Sequence, residues 1–427
     1  MEPDLVGVDG GSTDPGPYYL GSGESFVSEA QVARDLEPAL CAAAERGIPL
    51  IVGTAGGSGA EPHLQSLLTV VREIAARNGL SFRMAAIHAE VPTETVLAAL
   101  GEGRISPCGH APELSEEDVR GCTRIVAQMG TEPLIVALEG GAQVVIAGRC
   151  CDAGVFAAEP IRRGFDPGLA LHMGKLAECG TLCARPAGAN DVLVGTIDGD
   201  GFEVVPANPE RRCIPESVAA HSLYEQPDPN CFYEPEGMVD LSGCRFEQVG
   251  ERTVRVTGSR LVPAEQPTVK LEGARLRGYR AITVAGIRDP GLIAHLDAIE
   301  QSVRAAVNDA MADALAPEDF SLRFLRYGLD GVTVALEAAP VPLPREVGLV
   351  IDAVAPTQEL ANRVLKLARS TALHQHYEGR KTTAGNLAFP FSPSDFSGGA
   401  VYDFAVYHLM QIADPAAIFP VEFEDVG

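Results

Sequence analysis

A chain of 427 residues is about three average domain lengths, and with 46% hydrophobic against 21% charged residues it can bury a sizeable core and is not disordered. Its 58 Asp and Glu against 33 Lys and Arg give a formal charge of −25, a field that repels nucleic-acid backbones and anionic bilayers, so neither is an expected partner. No run of about 18 apolar residues occurs and Met1-Glu2-Pro3-Asp4 is no charged-then-apolar leader, so the chain is expected in the cytoplasm.

In chain order, Asp4–Asp9 reads as a short strand ending in Gly-Gly. Residues 28–47 read as a helix, with Ser28 and Gln31 at capping-box spacing and a stripe of Val32, Leu36, Ala39, Leu40 and Ala43. A buried strand follows at 49–53, then a helix with Pro62 near its start and Leu64, Leu67, Leu68, Val71 and Ile74 on one face. Residues 82–91 predict a strand and 93–100 a helix. Two more helices are predicted over 115–129 and 132–140, and a strand over 144–148. Strands joined by helices imply right-handed crossovers and a parallel sheet, and their unbroken apolar character implies cover on both faces. The fold class is therefore α/β. Residues 1–200 form a parallel, doubly wound sheet, and a smaller α+β domain lies toward the C-terminus.

A further helix is read over 166–185. Residues 201–267 form a β-hairpin connecting region, in which 225–237 is a proline-rich loop; residues 191–206 and 244–262 carry the hairpin pattern. Residues 268–378 read as the α+β sandwich: a strand, a helix over 291–315, strands at 321–326 and 332–338, and a helix over 357–376. The tail 379–427 has an apolar middle that calls for a subunit contact. Ten cysteines without a Cys-x-x-Cys pair read mostly as buried small hydrophobes, not disulfides.

In a parallel sheet all carboxyl ends lie on one edge, where ligands of open α/β sheets bind. Four segments should meet there: Asp9 to Asp14, Gly53 to Gly59, His88 to Glu90 and Gly148 to Asp152. Glycines in a strand-to-helix turn let amides approach an anion. Ligand-binding candidates are thus Gly10, Gly11, Ser12 and Thr13 in one turn and Thr54, Gly56, Gly57, Ser58 and Gly59 in another. Arg149 would clamp a carboxylate or close its turn by pairing with Asp152. Asp9, His88 and Glu90 are candidate metal ligands, although a turn-capping Asp and a hydrogen-bonded loop His are the plainer readings. On the helix at 166–185, His172, Lys175 and Cys179 share a face with Glu178 one position off, and with Asp152 they make the catalytic candidates.

Several long motifs resemble one family. They are Gly-Gly-Ser-Gly-Ala at 56–60, GAQVVIAGRCCDAGVFAAEPIRRGF at 141–165, HMGKLAECGTLCARP at 172–186, VRVTGSRLVPAEQPTVKLEG at 254–273, and GRKTTAGNLAFPFSPSD with VYHLM in the tail. Together they are similar to the acyclic terpene utilisation (AtuA) family over nearly the whole chain. The resemblance implies carboxylic-acid or acyl-CoA catabolism and points to Arg149, Asp152, Glu178, Cys179 and the 53–59 glycines. The paired Cys150 and Cys151 read as a local variant. The tail is similar to members encoded beside a small companion protein, which implies assembly with such a partner or with further copies of the chain.

No redox-cofactor fingerprint and no serine nucleophile elbow occurs, which argues against dehydrogenase and α/β-hydrolase chemistry; no cofactor is predicted beyond a divalent metal as one alternative. The function expected from the sequence is an enzyme of small organic acids or CoA thioesters, a hydro-lyase (hydratase) or isomerase working by acid–base chemistry at the sheet edge. The alternatives are a divalent-metal-dependent lyase and a non-catalytic subunit.

Overall fold

The computed structural model describes residues 3–188, 191–332, 342–380 and 384–427. The chain divides into two compact units, one of residues 1–275 with 404–427 and one of residues 276–403.

The first unit is built on a five-stranded sheet in the order Val6–Asp9, Leu50–Gly53, Val144–Ala147, Phe82–Ile87, Val421–Val426. The first four strands are parallel, in register through pairs such as Val8 with Val52, Ile51 with Val145 and Ala85 with Val145. The fifth is antiparallel to Phe82–Ile87, so the sheet is mixed and not wholly parallel as expected. That last strand reads V-E-F-E-D-V, with Glu422, Phe423 and Glu424 exposed, a composition suited to a sheet edge.

Alternation along the inner strands explains their unbroken apolar character. Leu50, Val52, Met84 and Ile146 pack on one face against Leu36 and Leu40 of the helix Glu29–Arg46 and Leu67 and Val71 of the helix Glu61–Asn78. Ile51, Ala85, Val145 and Ala147 pack on the other against Leu134 and Ala137 of Glu132–Glu139 and Val155 and Ala158 of Asp152–Arg162. Ser28 caps the helix Glu29–Arg46, accepting from the Gln31 amide, and Gly47 ends it in the left-handed region. The chain leaves Leu50–Gly53 toward one face and Val144–Ala147 toward the other. Between these neighbours the winding reverses, and at such a switch point ligands of open α/β sheets bind at the carboxyl ends of the strands.

Two predicted helices are corrected. The span 115–129 is helical only over Glu116–Gly121; Cys122–Gln128 is a strand paired antiparallel with residues 270–275. The span 166–185 is helical only over Pro167–Ala177. Glu178 is already extended and Cys179 has a left-handed backbone with φ 45°, so Cys179 leaves the helix and the face shared with His172 and Lys175. The shortened helix is buried along almost its whole length. Leu169, Met173 and Leu176 meet Phe202, Val204, Val254 and Val256 of one small antiparallel sheet, while Ala170 and Leu171 meet Phe232 and Val239 of another. Part of the proline-rich loop supplies that second sheet, as the hairpin of Cys231–Glu234 and Gly237–Asp240.

In the second unit, Ser321–Tyr327, Val347–Ala355 and residues 279–287 form an antiparallel sheet. The helices Leu296–Met311 and Gln358–His374 bury Val303, Val307, Val364 and Leu365 with Ile351 and Ala353 of this sheet. The strand expected at 332–338 falls almost entirely outside the described residues.

Candidate functional site

The turns following three parallel strands touch backbone to backbone. The Gly10 amide donates to the Gly53 carbonyl at 2.8 Å and the Thr54 amide to the Gly148 carbonyl at 3.0 Å. A Cβ on Gly11 would stand 2.5 Å from Gly57 Cα, and one on Gly59 2.1 Å from the Arg149 nitrogen; with φ +147° and +67°, only glycine serves at either place. The structure thus brings Asp9 to Thr13, Thr54 to Gly59 and Arg149 to Asp152 together.

What gathers in the crevice is chiefly carboxyl groups. Asp9 ends its strand, accepts from the Gly11 amide at 3.3 Å and lies near enough to Asp152, the first residue of the helix Asp152–Arg162, for the two carboxyl groups to act on each other. Burial, then the neighbouring Asp9 charge, raise Asp152 to about 8 against the pull of Arg149, whose Nη1 lies 4.0 Å from Asp152 Oδ1. That Oδ1 is buried and without a hydrogen-bond partner. Burial also raises Asp9. Glu178 joins them past the end of Pro167–Ala177: it pairs with Lys175 Nζ, yet burial carries it to about 7, and Asp9 and Glu225 add to the rise. Lys175 stays charged, because Glu178 outweighs its burial, and it lies 5.7 Å over the Tyr224 ring. Glu234, from the hairpin, accepts from the Cys151 thiol and is raised to about 8, mainly by burial. Burial pushes the Cys151 thiol itself well up.

Sequence reasoning missed two charged partners of this cluster, Glu234 and Glu272. Glu272 is fully buried in the strand Thr268–Ile287 and receives Arg149 Nε at 2.7 Å, Lys270 Nζ at 3.0 Å and the Thr13 hydroxyl at 2.9 Å. Burial would raise it, but Arg149 and Lys270 win and hold it at about 2. The remaining Arg149 contacts are the Cys150 carbonyl at 3.1 Å and Thr54 Oγ1 at 3.4 Å. The guanidinium is therefore a buried cation tied to Glu272. The sequence signal was Lys270 and Glu272 at period-two spacing in an otherwise apolar strand, which puts both on one face.

The amides of Thr54, Ala55, Gly57 and Gly59 donate to backbone carbonyls, and that of Ala60 to His63 Nδ1. The Glu61 amide donates to Glu90 Oε2 at 2.9 Å, so a carboxylate of the protein already sits at the start of this helix. Ser58 is buried, and Ser12 donates to Asp14 at 2.8 Å. His88 Nδ1 meets Glu61 Oε2 at 2.8 Å. His88 and Glu90 thus both turn to Glu61 while Asp9 turns to Asp152, and among the described residues no three His, Cys, Asp or Glu are placed to hold a metal. His172 is fully buried away from this cluster. Its nitrogens lie 2.7 Å from Ser259 Oγ and 2.8 Å from Ser222 Oγ, and burial lowers its pKa to about 3, so it packs as a neutral ring and not as the expected acid or base. Cys179 is exposed at the rim, its thiol raised by burial and by nearby Asp9 and Glu178.

Thr54, Cys179 and Glu225 all carry positive φ, at 51°, 45° and 62°. For side chains other than glycine that conformation costs about 1–3 kcal/mol each and tends to gather at functional sites. Thr54 borders Arg149 and Cys150, and the charges of Glu225 act on Lys175, Glu178 and Cys179.

Residues 27–391 match the model of a family described as acyclic terpene utilisation family protein AtuA. No curated protein and no solved structure matches the chain.

Proposed function

The chain belongs to the acyclic terpene utilisation family AtuA, and from that premise we propose an enzyme of acyl-CoA or small organic acid catabolism that moves protons at carbon, as a hydro-lyase or isomerase. The observation that carries the reading is the Asp9–Asp152 pair, with Asp152 at about 8. A carboxyl whose proton is balanced near neutral pH can both give and take one during turnover. The arrangement parallels other carboxyl pairs that share a proton because like charges cannot both ionise at close range.

Asp152 is the general acid or base, and Asp9 tunes it. With Arg149 tied to Glu272, Lys175, paired with Glu178, is the cation for charge developing on a substrate oxygen. Arg149 is neutralised by Glu272, so carboxyl groups outnumber free cations in the crevice. That balance favours an uncharged reacting group, a thioester carbonyl, over a free carboxylate.

Exchange of substrate α-protons tests this without knowledge of the full reaction. Incubated in D2O with acyl-CoA thioesters, the protein should introduce deuterium next to the carbonyl, read by mass spectrometry. Asp152→Asn should slow exchange about 10²- to 10⁴-fold while the protein stays folded. Exchange at the same rate in the variant, or none with any thioester, contradicts the reading.

A further inference from the structure

The chain has 58 acidic side chains to 33 Lys and Arg, yet four arginines gather at the short antiparallel ribbon of Ala184–Arg185 and Arg212–Cys213. Ala184 and Cys213 lie directly opposite each other and are buried; Arg185 and Arg212 lie directly opposite each other and are exposed. Residues so opposed have Cβ atoms about 4.5–5.5 Å apart, and like charges there repel. Arg185 donates only to the Leu182 and Ala184 carbonyls, at 3.3 and 3.4 Å. Among the described residues Arg212 makes no hydrogen bond or ion pair. Two more arginines stand behind them. Arg211 donates to Asp191 at 2.8 Å and to the carbonyls of Pro186 and Thr181, and Arg252 donates to the carbonyls of Pro206, Asn208 and Arg211. Among the described residues Asp191 is the one carboxylate paired with any of the four.

Two connections fix this ribbon to the carboxyl crevice. Arg185 follows Cys179 at the rim through the 3-10 turn Gly180–Cys183, and six positions of chain span at most about 21 Å. Arg212 leads into the helix Pro215–Ser222, whose His221 Nε2 lies 3.0 Å from the Glu178 carbonyl oxygen and whose Ser217 hydroxyl donates to the Cys183 carbonyl. We propose that Arg185 and Arg212 bind the phosphate groups of a coenzyme A thioester whose acyl end reacts in the crevice. The proposal rests on the thioester reading given above and deepens it. Carboxyl groups outnumber free cations in the crevice, so a substrate that carries phosphates must hold them elsewhere. Coenzyme A does so, because an uncharged arm separates its thioester from its diphosphate and 3′-phosphate. Two guanidinium groups side by side present donors to phosphate oxygens, and the anion cancels their mutual repulsion.

Calorimetric titration of the full-length protein with acetyl-CoA, and with S-acetylpantetheine, which lacks the phosphates, reads the ribbon directly. Wild type should bind acetyl-CoA the more tightly. Arg185→Ala and Arg212→Ala should each weaken acetyl-CoA about tenfold. Arg34→Ala, which removes the same charge from the exposed side of the helix Glu29–Arg46, should not. Added salt should cost wild type more affinity than either variant. Melting separates binding from folding. Without ligand, Arg212→Ala should melt no lower than wild type, since it relieves a like-charge pair, and acetyl-CoA should raise its melting temperature less. Acetyl-CoA that does not bind, or that binds equally to wild type and both ribbon variants, overturns the proposal; so does an equal loss in Arg34→Ala. The two readings fail separately. If only the acid–base reading is wrong, acetyl-CoA affinity still depends on Arg185 and Arg212 while no deuterium enters any thioester. If only the ribbon is wrong, exchange still depends on Asp152 while affinity is indifferent to both arginines.

Discussion

At Asp152 burial and the Asp9 charge oppose Arg149, and burial wins. The consequence for stability follows from linkage. The pKa is raised from 3.8 to about 8, so the folded protein keeps a proton that the unfolded chain releases. The resulting stabilisation is complete below the unfolded value and is lost as pH rises through about 8. Asparagine cannot ionise and resembles the protonated acid. Asp152→Asn should therefore melt higher than wild type by a margin that grows from about pH 5 to about pH 9, on the order of a few kcal/mol at the upper end. Thermal melts across that range measure it; a constant margin would mean that Asp152 ionises normally. Glu234 follows the same logic: burial raises it to about 8 against the Cys151 thiol that donates to it and the Lys175 charge.

Among the elements, the parallel strands and their flanking helices were legible because local and global signals agree. The helix Glu29–Arg46 carries its cap, its stripe and its terminal glycine in sequence. Cys122–Gln128 misled because Val119, Ile125 and Val126 fit a helical stripe, whereas T-R-I-V is equally a strand that takes its partner from residues 270–275, far along the chain. The helix Pro167–Ala177 stops at Glu178, and nothing in ECGTLC announces this; that break separates buried His172 from exposed Cys179. Site residues on strand ends were readable because parallel topology alone fixes where they meet. Glu234 and Glu272 were not, because their proximity depends on tertiary pairing between distant segments. Glu272 ties the strand Thr268–Ile287 to the turn that holds Arg149 and Asp152. Glu272→Gln would leave Arg149 and Lys270 short of their counter-charge, and breaking a buried pair costs about 3–5 kcal/mol. Urea unfolding should show that loss; a variant as stable as wild type would make the ion pair incidental.

For the whole molecule, the formal charge of −25 counts every carboxyl as ionised. Asp152 and Glu234, both raised to about 8, keep protons in the folded state near neutral pH, so the folded chain is less negative than its composition says. Among the described residues no helix is long and apolar enough to cross a membrane, and all ten cysteines are free thiols. Asp152, Glu178 and Glu234 come from separate parts of the sequence and act on one another in the folded chain. Carbon-13 NMR of the protein labelled at the aspartate carboxyl carbons tests that gathering most directly. The signal that disappears in Asp152→Asn should titrate near pH 8. If that signal instead titrates with the ordinary aspartates near pH 4, the crevice holds no proton for catalysis and the account fails.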